Sequence, residues 1–146
     1  MTHDEFIAEY FKVSARAIEF SEKARREGLL SLESFIDFEK VDKRDIFEYG
    51  LLFVIDGTDQ QLVKDLLSII IEQEEDKYTR KLMKIKLEAV LSIQSGVNTR
   101  IIAYKLNAFT NLALKDDPIT KKFKEDRDNT GEFSEVELDA LLGGRI

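Results

Sequence analysis

With 146 residues, no cysteine, one proline, seven glycines and a net charge of -7, the chain has the size of one ordinary domain with its own core, about 100–150 residues. The missing cysteines exclude disulfides, thiol catalysis and cysteine metal sites and fit a reducing compartment. The acidic balance argues against nucleic acid, whose phosphates call for clustered Lys and Arg. A membrane-spanning helix needs roughly 20 mostly apolar residues, and the densest apolar runs, 49–55 and 66–71, are far shorter. The opening MTHDEFIAEYF is acidic where an export signal is basic, so a soluble, cytoplasmic protein is expected.

The composition, rich in Leu, Glu, Lys, Ile and Ala, predicts an all-α fold: a small helical bundle with one long helix, a flexible linker and a short C-terminal helix. In the first helix, residues 5–24, Phe6, Tyr10, Val13, Ala17, Phe20 and Ala24 recur every three or four positions and form one apolar face that should end at Gly28. Ser31 is placed to cap a short helix over 32–38, with Phe35 and Ile36 turned inward and Glu33 near its positively polarised start. A third helix is expected over 42–55, carrying Ile46, Tyr49, Leu52 and Phe53 and stopping at Asp56-Gly57. Thr58 or Asp59 then caps the longest periodic stretch, 60–94, which Gly96 ends. Leu62, Leu66, Ile69 and Ile70 form one apolar face of it and Met83, Leu87, Val90 and Leu91 another. The polar interval 72–81 is open between a solvated helical bridge, with Asp76 and Arg80 at i,i+4 spacing, and a turn. Asn98 caps a further helix to 109, using Ile101, Ile102, Leu106 and Phe109. Beyond Leu114, KDDPITKKFKEDRDNTGE has too few apolar side chains to offset the entropy of ordering it and reads as a linker. Ser134 and Glu137 form a capping-box pair ahead of a last short helix closed by Gly143-Gly144. The resulting domains are 1–114, a helical domain; 115–132, a linker; and 133–146, an amphipathic docking peptide.

The inventory for catalysis is thin, and no enzyme activity, catalytic residue, metal or cofactor is expected. The one histidine is His3, and no glycine-rich phosphate loop is present. Asp126, Asp128, Thr130 and Glu137 echo a calcium loop, but Thr130 stands where that loop needs Asp or Asn. Recognition by surface remains.

Three segments carry a resemblance. ARREGLLSLE, residues 24–33, and FVIDGTD, residues 53–59, resemble the cytoplasmic signature of the flagellar stator A subunit, MotA, of the MotA/TolQ/ExbB family. YGLLFVIDGTDQQLVKDLL, residues 49–67, is similar to that family's stretch before its third membrane span, and LEAVLSIQSGVNTRIIAYKLNAF, residues 87–109, to the stretch after its fourth. Only the polar interval 72–86 separates them, which implies a deleted membrane hairpin with the two cytoplasmic halves joined. The resemblance covers about residues 15–109 and implies that the chain conducts no ions, because the family's ion path lies in the absent spans. Where the family has Pro after Asn98 this chain has Thr99, so a looser helix start is expected there.

The family has an Arg three residues before a Gly and a Glu five residues after it, as Arg25 and Glu33 stand around Gly28. The resemblance implies charged contacts with the rotor protein FliG, made by Arg25, Arg26 and Glu33. Exposed ion pairs are individually weak, which suits a repeated, transient encounter. The alternative is that these charges only solubilise a helix hairpin. SEVELDALL, residues 134–142, is similar to the N-terminal peptide of the switch proteins FliM and FliN, which in FliM docks the response regulator CheY. Ser134, Glu137, Asp139, Leu141 and Leu142 match it, and a helix packed on its own domain is the alternative.

The expectation is a motility protein at the flagellar basal body that binds the rotor. A motor brake, a chemotaxis adaptor recruiting a CheY-like response regulator, and an unrelated helical scaffold are the alternatives. Homo-oligomerisation stays open, since the family's ring forms largely through the absent spans.

Overall fold

A computed structural model describes residues 1–125 and Leu142. The described residues are helical, with no strand among them, as composition and periodicity predict. Helix α1, His3–Glu27, is the central element. Thr2 and Glu5 close a capping box that the sequence reading missed: each accepts the other's backbone N–H at 3.1 Å. Acidic residues in the first turn and Arg25 and Arg26 in the last complement the helix dipole. Gly28 ends the helix with φ 90°, a conformation that a side chain disfavours.

The expected face of α1 is buried through Phe6, Tyr10, Val13, Ala17 and Phe20. A second face is buried too. Ala15 and Ile18 pack with Ala103, Ile119 and Phe123 in a separate apolar cluster, so α1 lies between two cores.

Residues 29–45 depart from expectation. In place of an α-helix over 32–38 there are two 3-10 helices, Leu29–Phe35 and Phe38–Lys40. The hydroxyls of Ser31 and Ser34 donate back to the carbonyls of Gly28 and Ser31, at 2.6 and 3.0 Å, and close tight turns. Leu32 and Ile36 are buried, while Phe35 is 38% exposed with its ring 5.0 Å from that of Phe20. Asp42 accepts the Arg44 N–H at 2.7 Å in a local turn. Helix α2, Ile46–Ile55, accordingly starts four residues later than expected; Ile46 is buried as expected, with Phe47, Leu51 and Val54, while Tyr49, Leu52 and Phe53 are only partly buried.

The long periodic stretch is two helices, α3, Gln60–Glu72, and α4, Lys77–Gln94. Asp76 ends the polar interval as the N-cap of α4, accepting the Thr79 N–H at 2.9 Å and the Thr79 hydroxyl at 2.7 Å. Asp59 caps α3 through the Gln61 N–H at 3.0 Å. The α3 face that packs inward is Val63, Leu67 and Ile71, whereas Leu62 and Ile69 are each 61% exposed. Gly50 accounts for the close approach of α2, α3 and α4: a Cβ there would lie 2.8 Å from Leu67 Cδ1 and 3.0 Å from Val90 Cγ1.

Helix α5, Thr99–Asn107, is well held at its start. Asn98 accepts the Arg100 N–H at 2.9 Å, and the buried Thr99 and Ser21 hydroxyls are 3.0 Å apart, linking α5 to α1. The looser start expected from the Thr99 departure is not seen.

The linker expected from residue 115 is ordered as far as 125. It contains a 3-10 helix, Leu114–Asp116, and helix α6, Pro118–Glu125, with Ile119, Thr120 and Phe123 buried. Asp117, fully buried, accepts the Ile119 N–H at 3.0 Å, and Pro118 fills the first helical position, where its missing N–H costs nothing. Residues 126–132 of the expected linker lie outside the described residues.

Candidate functional site

The hairpin between α1 and the first 3-10 helix exists because Gly28 lets the chain reverse where α1 ends. Gly28 N–H donates to Ala24 C=O at 2.8 Å, and the Ser31 hydroxyl tightens the corner. Arg25, Arg26 and Glu33 are all exposed on this one connection.

Their environments differ. The Arg25 guanidinium donates to the Gly96 carbonyl at 2.9 Å, which ties the hairpin to the turn between α4 and α5. Arg26 lies 3.8 Å from the buried Glu22 carboxylate one turn earlier. The Glu33 carboxylate has no hydrogen-bond or ion-pair partner among the described residues and pairs with neither arginine. Leu30, 68% exposed, and the partly exposed Phe35 add apolar surface to the same segment. Sequence reading, which turned Phe35 inward, did not anticipate that surface. The arrangement offers one unpaired anion, two cations of which Arg25 also braces the fold, and an apolar edge, which suits protein recognition.

Of the second candidate, Ser134, Glu137, Asp139 and Leu141 lie outside the described residues, as do Asp126, Asp128 and Thr130 of the calcium-loop echo. Leu142 is described. It is half-buried against the cluster of Ala15, Ile18, Ala103, Ile119 and Phe123, away from the hairpin and on the chain's own domain. Among the described residues no group of acidic or histidine side chains is arranged to hold a metal ion.

The sequence reading also missed a buried polar cluster. The Tyr10 hydroxyl donates to Asp117 Oδ2 at 2.5 Å, and Asn107 Nδ2 donates to the same oxygen at 3.1 Å. Burial first, and then the neighbouring Asp117 charge, push the Tyr10 phenol above its ordinary range and keep it a neutral donor. The legible signal was Asp117-Pro118 itself, an N-cap followed by a proline at the first helical position. With every partner internal, the cluster fastens α1, α5 and α6 together.

No family model matches the chain, and no solved structure matches it. It is similar to Motility protein A of Borreliella burgdorferi, 37% identical over 71 residues, an alignment that covers 47% of this chain and 26% of that protein. The chain therefore spans about a quarter of the length of the curated relative it matches. Over part of its length the chain is MotA-like, and the likeness points to a motility-related role.

Proposed function

We propose that this chain is a motility protein that docks on the flagellar rotor through the hairpin carrying Arg25, Arg26 and Glu33, and that it acts by binding, without catalysis and without conducting ions itself. The observation that carries the reading is the 37% identity to Motility protein A, taken with the exposure of all three charged residues on one glycine-hinged corner. No described helix is long and apolar enough to cross a membrane, which is consistent with a binding role for this part of the molecule. The partner is a FliG-type rotor protein presenting charges complementary to Glu33 and Arg26, and association would be steered by those charges and weakened by salt.

Capture of a purified FliG-type protein tests the reading. Wild type is expected to bind, and Arg26→Glu combined with Glu33→Lys to lose binding. No capture by wild type, or unchanged capture by the double variant, would overturn it. Residues 134–142 are proposed as a second docking element for a CheY-like response regulator. Removing residues 133–146 should then abolish regulator binding and leave rotor binding intact.

A further inference from the structure

Helix α4 begins KYTRKLMK, and its spacing sets Lys77, Arg80, Lys81 and Lys84 along one side of the helix. In a chain with net charge -7, four neighbouring cations call for an explanation. Several lysines elsewhere have carboxylate partners, among them Lys86, 3.8 Å from Asp45, and Lys105, 2.5 Å from Glu88, whereas others, such as Lys64, stand singly in solvent. Among the described residues none of these four forms an ion pair. Lys81 leans on the Phe6 ring at 5.8 Å and Lys77 on Tyr78 at 5.9 Å, contacts that hold a cation without neutralising it.

All four line a groove of about 510 Å³ whose further walls are Glu75 and Phe109. A second groove, of about 360 Å³, shares Arg80, Lys84 and Phe109 with the first, so these three stand where the two meet. Glu72 and Glu88 line that second part, and Glu88 is already paired with Lys105. In the larger groove four positive charges face one carboxylate. Arg80 is half-buried at the groove wall; its Nε is covered and without a hydrogen-bond partner among the described residues, so the terminal guanidinium nitrogens are the donors it can offer to the groove. The N-terminus of α4 is not the feature at issue, since Asp76 already caps it.

We propose that this groove binds a phosphate oxyanion, with Arg80 and Lys84 as its principal donors, Lys77 and Lys81 completing the charge, and Phe109 as an apolar wall. A phosphate brings up to two negative charges and several acceptor oxygens, which fits several cations without carboxylate partners better than a single carboxylate does. The phosphate belongs either to a small soluble molecule or to a lipid headgroup, and the two sources separate experimentally.

The full chain is titrated with inorganic pyrophosphate by calorimetry and cosedimented with vesicles of equal parts phosphatidylcholine and phosphatidylglycerol. Saturable pyrophosphate binding without vesicle binding assigns a soluble ligand. Vesicle binding that pyrophosphate displaces assigns a headgroup. In either case Arg80→Gln with Lys84→Gln should weaken binding at least about tenfold, as expected from losing two charge-assisted contacts. Lys77→Gln with Lys84→Gln, both exposed and remote from the core, provides a second variant whose folding is not in question, and it should weaken binding in the same direction. The proposal is overturned if neither probe binds or if the groove variants bind like wild type. It is also overturned if Lys40→Gln with Lys64→Gln, exposed lysines elsewhere, weakens binding as much, because bulk charge alone would then account for it.

Discussion

Asp117 shows how one residue can hold three elements. A carboxylate without exposed surface is tolerated only when its oxygens are occupied. Here Oδ2 takes the Tyr10 hydroxyl and the Asn107 amide, and Oδ1 caps α6. Asp117→Ala takes the acceptor from the buried Tyr10 hydroxyl, leaves Asn107 Nδ2 only its 3.5 Å contact to the Leu112 carbonyl, and removes a cap, so a loss of about 3 kcal/mol is expected in urea unfolding. Asp117→Asn, which keeps an acceptor oxygen, should lose less. The phenol gives a pH signature. Its folded pKa is raised above the ordinary 10.0, so the neutral form is favoured in the native state. That contribution is fully present below about pH 10 and declines as pH rises further, because only the unfolded chain can then release the proton readily. The urea midpoint of wild type should therefore fall more steeply between about pH 9 and 11 than that of Tyr10→Phe, with lysine titration common to both. Equal slopes would show that Tyr10 is free to ionise in the folded protein.

Among the elements, Gly50 marks where three helices meet. Valine there would add methyl groups into space already occupied by Leu67 and Val90, and Gly50→Val should destabilise by about 1–3 kcal/mol despite the loss of a flexible glycine. An unchanged thermal midpoint would mean that α2 can move away from α3 at little cost. The same packing explains what sequence could and could not reveal. The main face of α1 was legible because its large apolar residues recur every three or four positions, whereas the second, through Ala15 and Ile18, is completed by partners far along the chain. Helix α3 carries Leu62, Val63, Leu66, Leu67, Ile69, Ile70 and Ile71, apolar on two overlapping faces. Periodicity gives the helix but not its rotation. Packing on α2 and α4 turns Val63, Leu67 and Ile71 inward, with Leu67 seated at the Gly50 notch, and that selection is a tertiary effect. Helix α6 was hidden differently: composition averages over KDDPITKKF, although Ile119 and Phe123, four residues apart behind a capped start, are enough to bury one face. Phe123→Ala should accordingly cost about 3–5 kcal/mol, a penalty foreign to a linker. The charged hairpin was legible as a motif, but its bracing by Arg25 on Gly96 joins residues far apart in the chain, which no local pattern contains.

For the molecule as a whole, that brace separates holding the corner from presenting it. Arg25 fastens the hairpin to the turn after α4, so Arg25→Ala should loosen the corner and lower stability by about 0.5–1.5 kcal/mol, the net worth of one hydrogen bond. Arg26 is exposed and makes one long contact, 3.8 Å, to the buried Glu22 carboxylate, and Glu33 has no partner among the described residues. Glu33→Lys should leave stability within about 0.5 kcal/mol of wild type, whereas Arg26→Glu sets like charge against Glu22 and opposes the helix dipole and should cost about 0.5–2 kcal/mol. If the hairpin docks on a rotor protein, Glu33→Lys alone would weaken capture while melting like wild type, the Arg26→Glu and Glu33→Lys double variant would lose capture, and rotor variants with reversed charges would restore it. Arg25→Ala would weaken capture only as far as it disorders the corner, and charge reversal on the partner would not restore it. Capture should also fall as salt rises through the range in which the Debye length shrinks from about 30 to 8 Å. A salt-independent interaction would instead assign the contact to Leu30 and Phe35, the apolar edge of the same hairpin, and Leu30→Ser would be the variant that abolishes it.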